Sequence, residues 1–372
     1  MKAESKLGAE RKSDNRNRVF NLVREAENIS KPGVSRELGI SVPTAIQYIN
    51  ELEELGAVKE GGQVGCTGGR KAKAYSVDET YRYAIGVELK ARQMIIVAVD
   101  YCGNLIHEDI EDCPFVLKNE YYKKLGALLE EKIDKWGLER EKVLGIGIAL
   151  PGLVTENCER VYYGKVLNYE ETSVQELGKY ISYPCRLYNN SDSAGYAEIA
   201  RDPETNDAVL IRLGENVGGS VIINGEIYGA KSGKVGHIQL VPGGKKCYCG
   251  RRGCFETVCN EELLKKACRG TVSEFFEKLA GGDAACKKAW EKYIGYVAEA
   301  IVNVRMLFDN KIIIGGAFSE YMEPYFEDLL RRVTALDTFD NPETYLRLSH
   351  IKHQAPALGG ALQYIHESWK NL

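Results

Sequence analysis

One histidine and three cysteines lie within eighteen residues in the second half of this 372-residue chain. They follow the pattern H-x9-C-x-C-x4-C and are His237, Cys247, Cys249 and Cys254. Zinc takes four nitrogen or sulfur ligands in a tetrahedron, and ligands so close in sequence can complete one without help from distant parts of the chain. The pattern therefore predicts a structural Zn²⁺ site; the alternative is a set of unrelated free thiols.

The composition indicates a globular protein of more than one domain. The chain exceeds the size of an ordinary domain, and its hydrophobic content of 44% and charged content of 27% are typical of globular proteins. No apolar run is long enough to span a membrane, and the charged N-terminus lacks the apolar stretch of a signal peptide. We therefore expect a cytoplasmic protein with no membrane partner, whose other cysteines stay reduced. Because the net charge is −4, any DNA binding must come from local basic patches.

The N-terminal segment predicts three helices in a helix-turn-helix arrangement. The first begins at Asn17 and carries an apolar stripe, and the second lies near Lys31 and ends at Gly39. The third follows Ser41, a residue type that caps helix N-termini, and ends at Gly56, which suits the position after a helix.

The third helix has two faces with different predicted roles. Ala45, Ile49 and Leu52 are spaced to pack on the first two helices. The opposite face carries four candidate base-reading residues, Thr44, Ile46, Gln47 and Asn50. Glutamine and asparagine can pair with adenine through two hydrogen bonds, and isoleucine can contact a thymine methyl. The alternative is a small three-helix domain that uses the same stripe only for packing.

Two short strands are predicted after the third helix, at residues 57–60 and 74–77, on either side of the glycine-rich segment 67–73. This segment carries three cations, Arg70, Lys71 and Lys73. A hairpin tip with cations and glycines is suited to contact DNA phosphates or the minor groove. The alternative is a solvent-exposed loop with no binding role. Because the hairpin directly follows a helix-turn-helix, it predicts a winged helix that binds DNA.

After Asp78 the pattern changes to strands and glycines. Strands are predicted at residues 83–89, 93–100 and 143–150, with a helix at 119–137 before the last of them. The same order returns in a second series, with a strand at residues 208–214, a hairpin at 217–228, a helix at 285–309 and a strand at 311–316. This duplication predicts two α/β lobes, with a ligand bound in the cleft between them.

Several motifs resemble those of the ROK family, which includes repressors and sugar kinases. The metal pattern is intact, and the matching segments are residues 236–237, 247–256, 149–152, 167–168 and 313–316. The resemblance covers nearly the whole chain, winged helix included, and is to the longer, regulator branch of the family. It implies an α/β protein with an actin/hexokinase-like, ribonuclease H-like fold and a structural zinc, preceded by a winged helix-turn-helix.

The resemblance also implies how the chain divides. Residues 1–78 would form the DNA-binding domain, and residues 79–372 would form a kinase-like sensor domain. Its two lobes would comprise approximately residues 83–190 with the C-terminal helix, and residues 191–350.

The segments that bind ATP in the family kinases are altered. Their Asp-x-Gly-x-Thr phosphate loop is replaced by Glu-Leu-Lys-Ala-Arg at residues 88–92, which lacks the glycine that lets backbone N–H groups approach a phosphate. Their second phosphate turn, Gly-Thr-Gly, reads Gly214-Glu215-Asn216 and brings a carboxylate towards the polyphosphate. We therefore do not expect this chain to bind ATP.

The general base of the kinases is altered as well. In the family it is an aspartate in an Asn-Asp pair ahead of a helix, and here that pair is Asn189-Asn190. An amide cannot accept the proton of a sugar hydroxyl. Asp192 is the nearest carboxylate, but on a helix it would face away from Asn190. The chain is therefore predicted not to be an enzyme.

The sugar side of the cleft combines retained and changed residues. A family glutamate that binds sugar hydroxyls is Lys234 here, and His237 would contact both zinc and sugar. The candidate ligand-binding residues are Asn168, Asn189, Asn190, Lys234, His237 and Glu256. Lys234 favours an acidic or phosphorylated sugar. The alternatives are a pocket that has lost its ligand and a lysine that only pairs with Glu256 or Glu215.

Together these features predict a dimeric or tetrameric transcriptional regulator, a repressor of carbohydrate metabolism genes. It would bind operator DNA and sense a sugar-type effector, and ligand between the lobes would change the spacing of two winged helices on two half-sites. Two alternatives remain, an ATP-dependent sugar kinase with a fused DNA-binding domain and a DNA-binding protein without an effector.

Overall fold

The first part of the chain is a winged helix. The computed structural model describes residues 2–64, 72–169, 171–202, 204–229 and 234–372, with side chains from Asp14 onward. The elements of the winged helix are α1 (Lys2–Ala26), β1 (Ile29–Ser30), α2 (Lys31–Leu38), α3 (Val42–Glu54), β2 (Val58–Val64) and β3 (Ala72–Val77). The three strands form one sheet in which β3 is central. The predicted helix-turn-helix and hairpin are therefore confirmed.

The third helix forms for the reasons that its sequence indicates. The Ser41 side chain accepts a hydrogen bond from the backbone N–H of Thr44 and so caps the N-terminus of α3. Ala45, Ile49 and Leu52 are fully buried against the other helices. The same packing leaves the opposite face of α3 towards solvent.

The first helix is longer than predicted, because it begins at Lys2 instead of Asn17. Residues 2–16 carry no apolar stripe, so the hydrophobic pattern does not reveal them as helical. Most of them are lysine, glutamate, arginine and alanine, which favour a helix through intrinsic propensity.

Two lobes follow the winged helix. The strands of the first lobe are β4 (Tyr83–Leu89), β5 (Gln93–Val99), β6 (Leu105–Asp112), β7 (Val143–Leu150), β8 (Leu153–Val154), β9 (Val161–Tyr163) and β10 (Cys185–Asn189). Its helices are α4 (Asn119–Lys135), α5 (Val174–Leu177) and α6 (Asn190–Arg201). The strands of the second lobe are β11 (Ala208–Arg212), β12 (Gly218–Ile223), β13 (Glu226–Ile227), β14 (Lys311–Gly315) and β15 (Leu346–Leu348). The remaining helices are α7 (Glu261–Cys268), α8 (Val272–Ala280), α9 (Ala284–Arg305), α10 (Ser319–Met322), α11 (Phe326–Leu336) and α12 (Ala355–Lys370).

The two main sheets have the same topology, as the duplicated sequence pattern predicts. Their strand orders are β10-β7-β4-β5-β6 and β15-β14-β11-β12-β13. In each sheet the first strand in sequence pairs antiparallel with the second and parallel with the fourth. The carboxyl ends of these parallel strands meet at the cleft between the lobes, where ligands bind in open α/β sheets.

Helices α6 and α12 pack closely against each other. Gly359 of α12 lies against the backbone of Ser193 in α6, and a Cβ added to this glycine would be 1.7 Å from the Ser193 carbonyl oxygen. The Ser193 hydroxyl donates a hydrogen bond to the carbonyl oxygen of Pro356 at 2.7 Å. Because such contacts leave no space for relative sliding, the two helices are expected to move together.

Trp369, near the end of α12, connects the winged helix to the first lobe. Its ring centroid lies 6.4 Å from that of Phe20 in α1. Its indole N–H donates to the carbonyl oxygen of Tyr101 at 3.1 Å, and the guanidinium of Arg24 lies 4.3 Å from the ring centroid. The winged helix therefore shares a hydrophobic core with the lobe that follows it. Among the helices in the described ranges, none has the length and apolar composition needed to cross a membrane.

Candidate functional site

The four predicted metal ligands lie together in the second lobe. Their ligand atoms are all within 4.8 Å of one another. The Sγ atom of Cys247 lies 3.6 Å from Nδ1 of His237, and the Sγ atoms of Cys249 and Cys254 are 3.7 Å apart. In a tetrahedron, bonds of about 2.3 Å to sulfur and about 2.0 Å to nitrogen place two sulfurs about 3.8 Å apart and a sulfur and a nitrogen about 3.5 Å apart. These two distances fit a tetrahedral metal site, and the four side chains could together hold a metal ion.

The loop that carries the cluster is fixed by its own backbone. The N–H groups of Leu240 and Val241 both donate to the carbonyl oxygen of Gly253, at 2.9 and 3.0 Å. Gly253 has a φ of 71°, and a Cβ there would lie 1.6 Å from the carbonyl oxygen of Val241. Only glycine fits this position, which explains the glycine beside the last cysteine ligand.

A cavity of about 360 Å³ lies between the lobes, a volume within the range of small-ligand sites. Its walls come from the loop after β7, the start of α6, the strands β11 and β12, and the candidate metal-binding loop, residues 237–254. The predicted sugar contacts that line it are Asn189, Asn190, Lys234 and His237. Further lining residues that were not predicted as sugar contacts include Tyr163, Lys165, Asp192, Arg212 and Tyr248. Tyr248 lies inside the metal pattern, so that motif could have indicated it.

Two predicted sugar contacts, Asn168 and Glu256, lie outside the residues that line this cavity. Asn168 occupies a turn with a φ of 57°, a conformation that asparagine adopts more easily than most residues. Glu256 is buried, and its carboxylate accepts a hydrogen bond from the backbone N–H of Val217. Burial raises the pKa of this carboxyl to about 7. Since Val217 lines the cavity, Glu256 supports the wall from behind.

Asn189 uses its side chain to hold the cleft together. Its Oδ1 atom accepts hydrogen bonds from the backbone N–H groups of Ser191 and Asp192, at 2.9 and 3.1 Å, and so caps α6. Its Nδ2 atom donates to the carbonyl oxygen of Gly152 at 2.7 Å. The amide therefore joins the loop after β7 to the start of α6, and only one of its N–H bonds is left for a ligand.

Asn190 occupies the first position of α6, where the family resemblance implies a catalytic aspartate. Its Nδ2 atom donates to Oε1 of Glu88 at 3.4 Å, and Arg212 donates to the same oxygen at 3.4 Å. Glu88 is 2% exposed and belongs to the first lobe, whereas Arg212 belongs to the second. An ion pair between a buried glutamate and a half-buried arginine therefore joins the two lobes at the floor of the cleft.

Asp192 lies in the same cavity as Asn190, so the prediction that it faces away is wrong. The cavity meets α6 at its N-terminal end, and residues of the first turn reach it from more than one side of the helix axis. Burial raises the pKa of the Asp192 carboxyl to about 7.

The phosphate side of the cleft is narrow. A cavity of about 40 Å³ lies there, lined by the carboxylates of Glu88 and Glu215 together with Lys90. Burial raises the pKa of Glu215. Sites for ligands of nucleotide size enclose roughly 300 Å³ or more. In this conformation the space is too small for a polyphosphate.

The predicted DNA-reading residues lie on the open face of α3. Ile46 is 39% exposed, Gln47 and Asn50 are exposed, and Thr44 is half-buried. Gln47 donates a hydrogen bond to Glu51 at 2.9 Å, and Lys31 donates to Asn50.

The wing is described only in part. Lys73 pairs with Glu60 at 2.7 Å. Arg70 and Lys71, the other two predicted phosphate contacts, lie outside the described residues.

Comparison with protein families identifies both parts of the chain. Residues 85–367 match the ROK family, and residues 12–59 match a winged helix-turn-helix DNA-binding family. The chain is 25% identical over 325 residues to the DNA-binding transcriptional dual regulator NagC of Escherichia coli K12, covering 81% of this chain and 80% of that protein. It is 23% identical over 369 residues to a putative xylose repressor of Caldicellulosiruptor sp., covering 92% of each.

Solved structures share the fold. A ROK family transcriptional regulator, a homologue of the E. coli MLC protein, superposes with a TM-score of 0.76 at 20% identity, over 97% of this chain and 98% of that one. A ROK family glucokinase from Streptomyces griseus, in complex with glucose and AMPPNP, superposes with a TM-score of 0.64 at 18% identity, over 76% of this chain and 98% of that one. This chain therefore belongs to the ROK family, with a winged helix-turn-helix ahead of its actin/hexokinase-like lobes.

Proposed function

We propose that this protein is a cytoplasmic transcriptional repressor of carbohydrate metabolism genes that senses a sugar-type ligand without phosphorylating it. One observation carries the proposal: a winged helix with an open reading face packs onto the first lobe of a sugar-kinase-like domain, in which Asn190 occupies the position where the family resemblance implies a catalytic aspartate. The names of two relatives, a transcriptional dual regulator and a putative xylose repressor, agree with this function.

The DNA contacts are proposed for Thr44, Ile46, Gln47 and Asn50 in the major groove, and for Arg70, Lys71 and Lys73 at phosphates or in the minor groove. Gln47 and Asn50 are amides one helical turn apart, a spacing that lets both reach base edges of neighbouring pairs. Their present hydrogen bonds, to the half-buried residues Glu51 and Lys31, are open to solvent, so bonds to bases can replace them.

Substitution of the two amides tests the DNA-binding function. We expect Gln47→Ala and Asn50→Ala each to weaken binding to operator DNA by about tenfold, since a bidentate base contact contributes about 1–3 kcal/mol of discrimination. Binding to unrelated DNA should change little. Gln175→Ala, which removes an exposed amide from α5, is the matched control. Fluorescence anisotropy at fixed salt measures all three. Equal affinity of the wild type and both α3 variants for operator DNA would refute the assigned reading face.

The absence of phosphoryl transfer is proposed from three features of the cleft. Asn190 cannot accept a proton, Glu88 and Glu215 place carboxylates on the phosphate side, and the space there is about 40 Å³. Asp192 is the one observation that favours the alternative, an ATP-dependent sugar kinase, because it brings a carboxyl into the sugar cavity. A base without a site for the phosphate donor cannot complete the reaction.

The ligand is proposed to be a sugar that carries an acidic or phosphate group. Three cationic side chains, Lys165, Arg212 and Lys234, line the cavity, whereas Asp192 is the one aspartate or glutamate among the lining residues that the structure describes. Cations pair with anionic oxygens, and amide and carboxyl groups bind sugar hydroxyls.

Zinc is the proposed metal, because three cysteine sulfurs and one imidazole at tetrahedral spacing are its usual structural ligands. When bound, it would hold the metal-binding loop in place as a structural ion. His237 belongs to both the cluster and the cavity wall, so the metal would also position the segment that carries Lys234.

The two functions are proposed to be coupled through α6 and α12. A ligand would contact Asn190 and Asp192 at the start of α6, α6 is closely packed on α12 at Gly359, and α12 contacts α1 through Trp369. With residues 1–78 as the DNA-binding domain and 79–372 as the sensor, a shift of α12 would reorient the winged helix. In a homodimer or tetramer, that reorientation would change the distance between two winged helices, and therefore the spacing of the two operator half-sites that they fit.

A further inference from the structure

A large cavity lies where the winged helix joins the sensor lobes. It encloses about 800 Å³ between α1, α6, α12 and residues 350–354, and it shares no lining residue with the sugar cavity. We propose that this junction cavity is a second ligand site, for an anionic molecule with an apolar or aromatic body. Such a ligand would act on DNA binding from a site separate from that of the sugar-type effector.

The charge of the junction cavity is one-sided. Its described lining includes three lysine or arginine residues and no aspartate or glutamate, although the chain as a whole has a net charge of −4. The three are Arg24, Arg201 and Lys370, and two histidines, His350 and His366, lie beside them. Arg24 pairs with the exposed carboxylate of its neighbour Glu25 at 3.3 Å, which lies outside the lining. A concave surface with this excess of positive charge attracts anions.

The environment of His366 reflects the same excess of positive charge. Burial and the positive charges of Arg24 and Lys370 lower the pKa of its imidazole to about 4. Its Nδ1 atom lies 2.7 Å from the hydroxyl of Tyr196, and its ring stacks on Trp369 at 4.3 Å. The imidazole is therefore neutral at pH 7, and its surroundings disfavour further positive charge.

Polar and apolar groups in the cavity define the chemistry of the ligand. The guanidinium of Arg24 and the amide of Gln354 belong to polar residues of the lining. Apolar side chains of α12, Leu358 and Leu362, line the wall beside Trp369. A few polar groups beside apolar walls are typical of small-ligand sites.

The position of the site implies regulation. A ligand there would touch Arg24 of α1 and Lys370 of α12 at once, so its binding would depend on how the winged helix is docked. By linkage, the ligand would change the equilibrium between docked and reoriented winged helices. DNA phosphates are a less suitable occupant, because the walls that include Leu358 and Leu362 are concave and apolar.

The probe for the test is 8-anilinonaphthalene-1-sulfonate, an aromatic sulfonate that fluoresces in apolar surroundings. We expect the full-length protein, without DNA or sugar, to bind one probe molecule per chain with saturation. The double variant Arg24→Gln/Lys370→Gln should bind it at least about tenfold more weakly. Lys124→Gln, which removes an exposed lysine of α4 outside both cavities, should bind it as the wild type does.

A second variant keeps the test independent of charge and folding effects. Ala200→Trp on α6 would fill the junction cavity and is expected to abolish saturable probe binding without changing the circular dichroism spectrum. Unchanged probe binding in either variant would overturn the proposal. The proposal would also be overturned if the charge variant, measured in the absence of the probe, lost affinity for DNA by the same factor as it loses affinity for the probe. The cations would then be contacts for DNA.

Discussion

Removal of zinc is expected to lower the thermal midpoint of this protein by about 10 °C or more. The metal would join His237 to the three cysteines further along the same loop, in addition to the loop's backbone hydrogen bonds, and Cys254 is fully buried. Structural zinc contributes about 10–16 kcal/mol to the folding of zinc-finger peptides. A loss of about 8 kcal/mol would shift the midpoint of a chain of 372 residues by about 10 °C.

Substitution of single cysteines distinguishes the stabilising effect of the metal from that of a buried thiol. Cys254→Ala should reproduce the effect of chelation and reduce zinc content from one ion per chain to almost none. Cys286→Ala removes an equally buried thiol outside the cluster and should cost about 1 kcal/mol. Elemental analysis and differential scanning calorimetry give both quantities. A zinc content well below one per wild-type chain, or a midpoint that chelation leaves unchanged, would contradict the assignment.

Loss of either partner of the Glu88–Arg212 pair is expected to destabilise the protein by about 3–5 kcal/mol, because it leaves an unpaired charge in the interior. The Glu88 and Arg212 side chains are 3% and 14% exposed. Glu88→Leu and Arg212→Leu should therefore each lower the urea midpoint strongly. The double variant removes both charges and should recover most of that loss.

Urea unfolding followed by circular dichroism measures the four proteins. Glu139→Gln, which removes one partner of the exposed pair with Lys142, serves as control and should leave the midpoint unchanged. If the double variant were as unstable as the sum of its single changes, the two side chains would not be energetically coupled.

The features that the sequence predicts well are local. The metal ligands lie within eighteen residues, and the cap at Ser41 and the stripe from Ala45 to Leu52 depend only on helical geometry. The two lobes follow from a duplicated order of strands. Asn190 is at the predicted position because a short motif defines it relative to the following helix.

The features that the sequence could not predict depend on distant contacts. Glu88 and Arg212 are 124 positions apart, and nothing in either segment indicates the other as its partner. The cap that Asn189 forms and the bond to Gly152 become evident only when β10 and β7 lie side by side. The contact between Trp369 and α1 depends on how the last helix returns to the first.

The orientation of the residues around the cavity is another feature that the sequence could not predict. A helical-wheel argument places Asp192 away from Asn190, but the cavity meets α6 at its end, so the argument fails there. Glu256 belongs to an intact family motif and still lies behind the wall, held by the N–H of Val217.

The measurement that tests the central claim is the effect of ligands on DNA binding. Fluorescence anisotropy at fixed salt would use DNA from upstream of the protein's own gene and neighbouring operons, with neutral hexoses, sugar phosphates and sugar acids. We predict sequence-selective binding with a Kd of about 10⁻⁸ M or below, altered by an anionic sugar and indifferent to neutral hexoses. Lys234→Glu, which restores the carboxylate that the family resemblance implies, should reverse that preference. Selective binding that no sugar alters, or no selective binding to these fragments, would contradict the account.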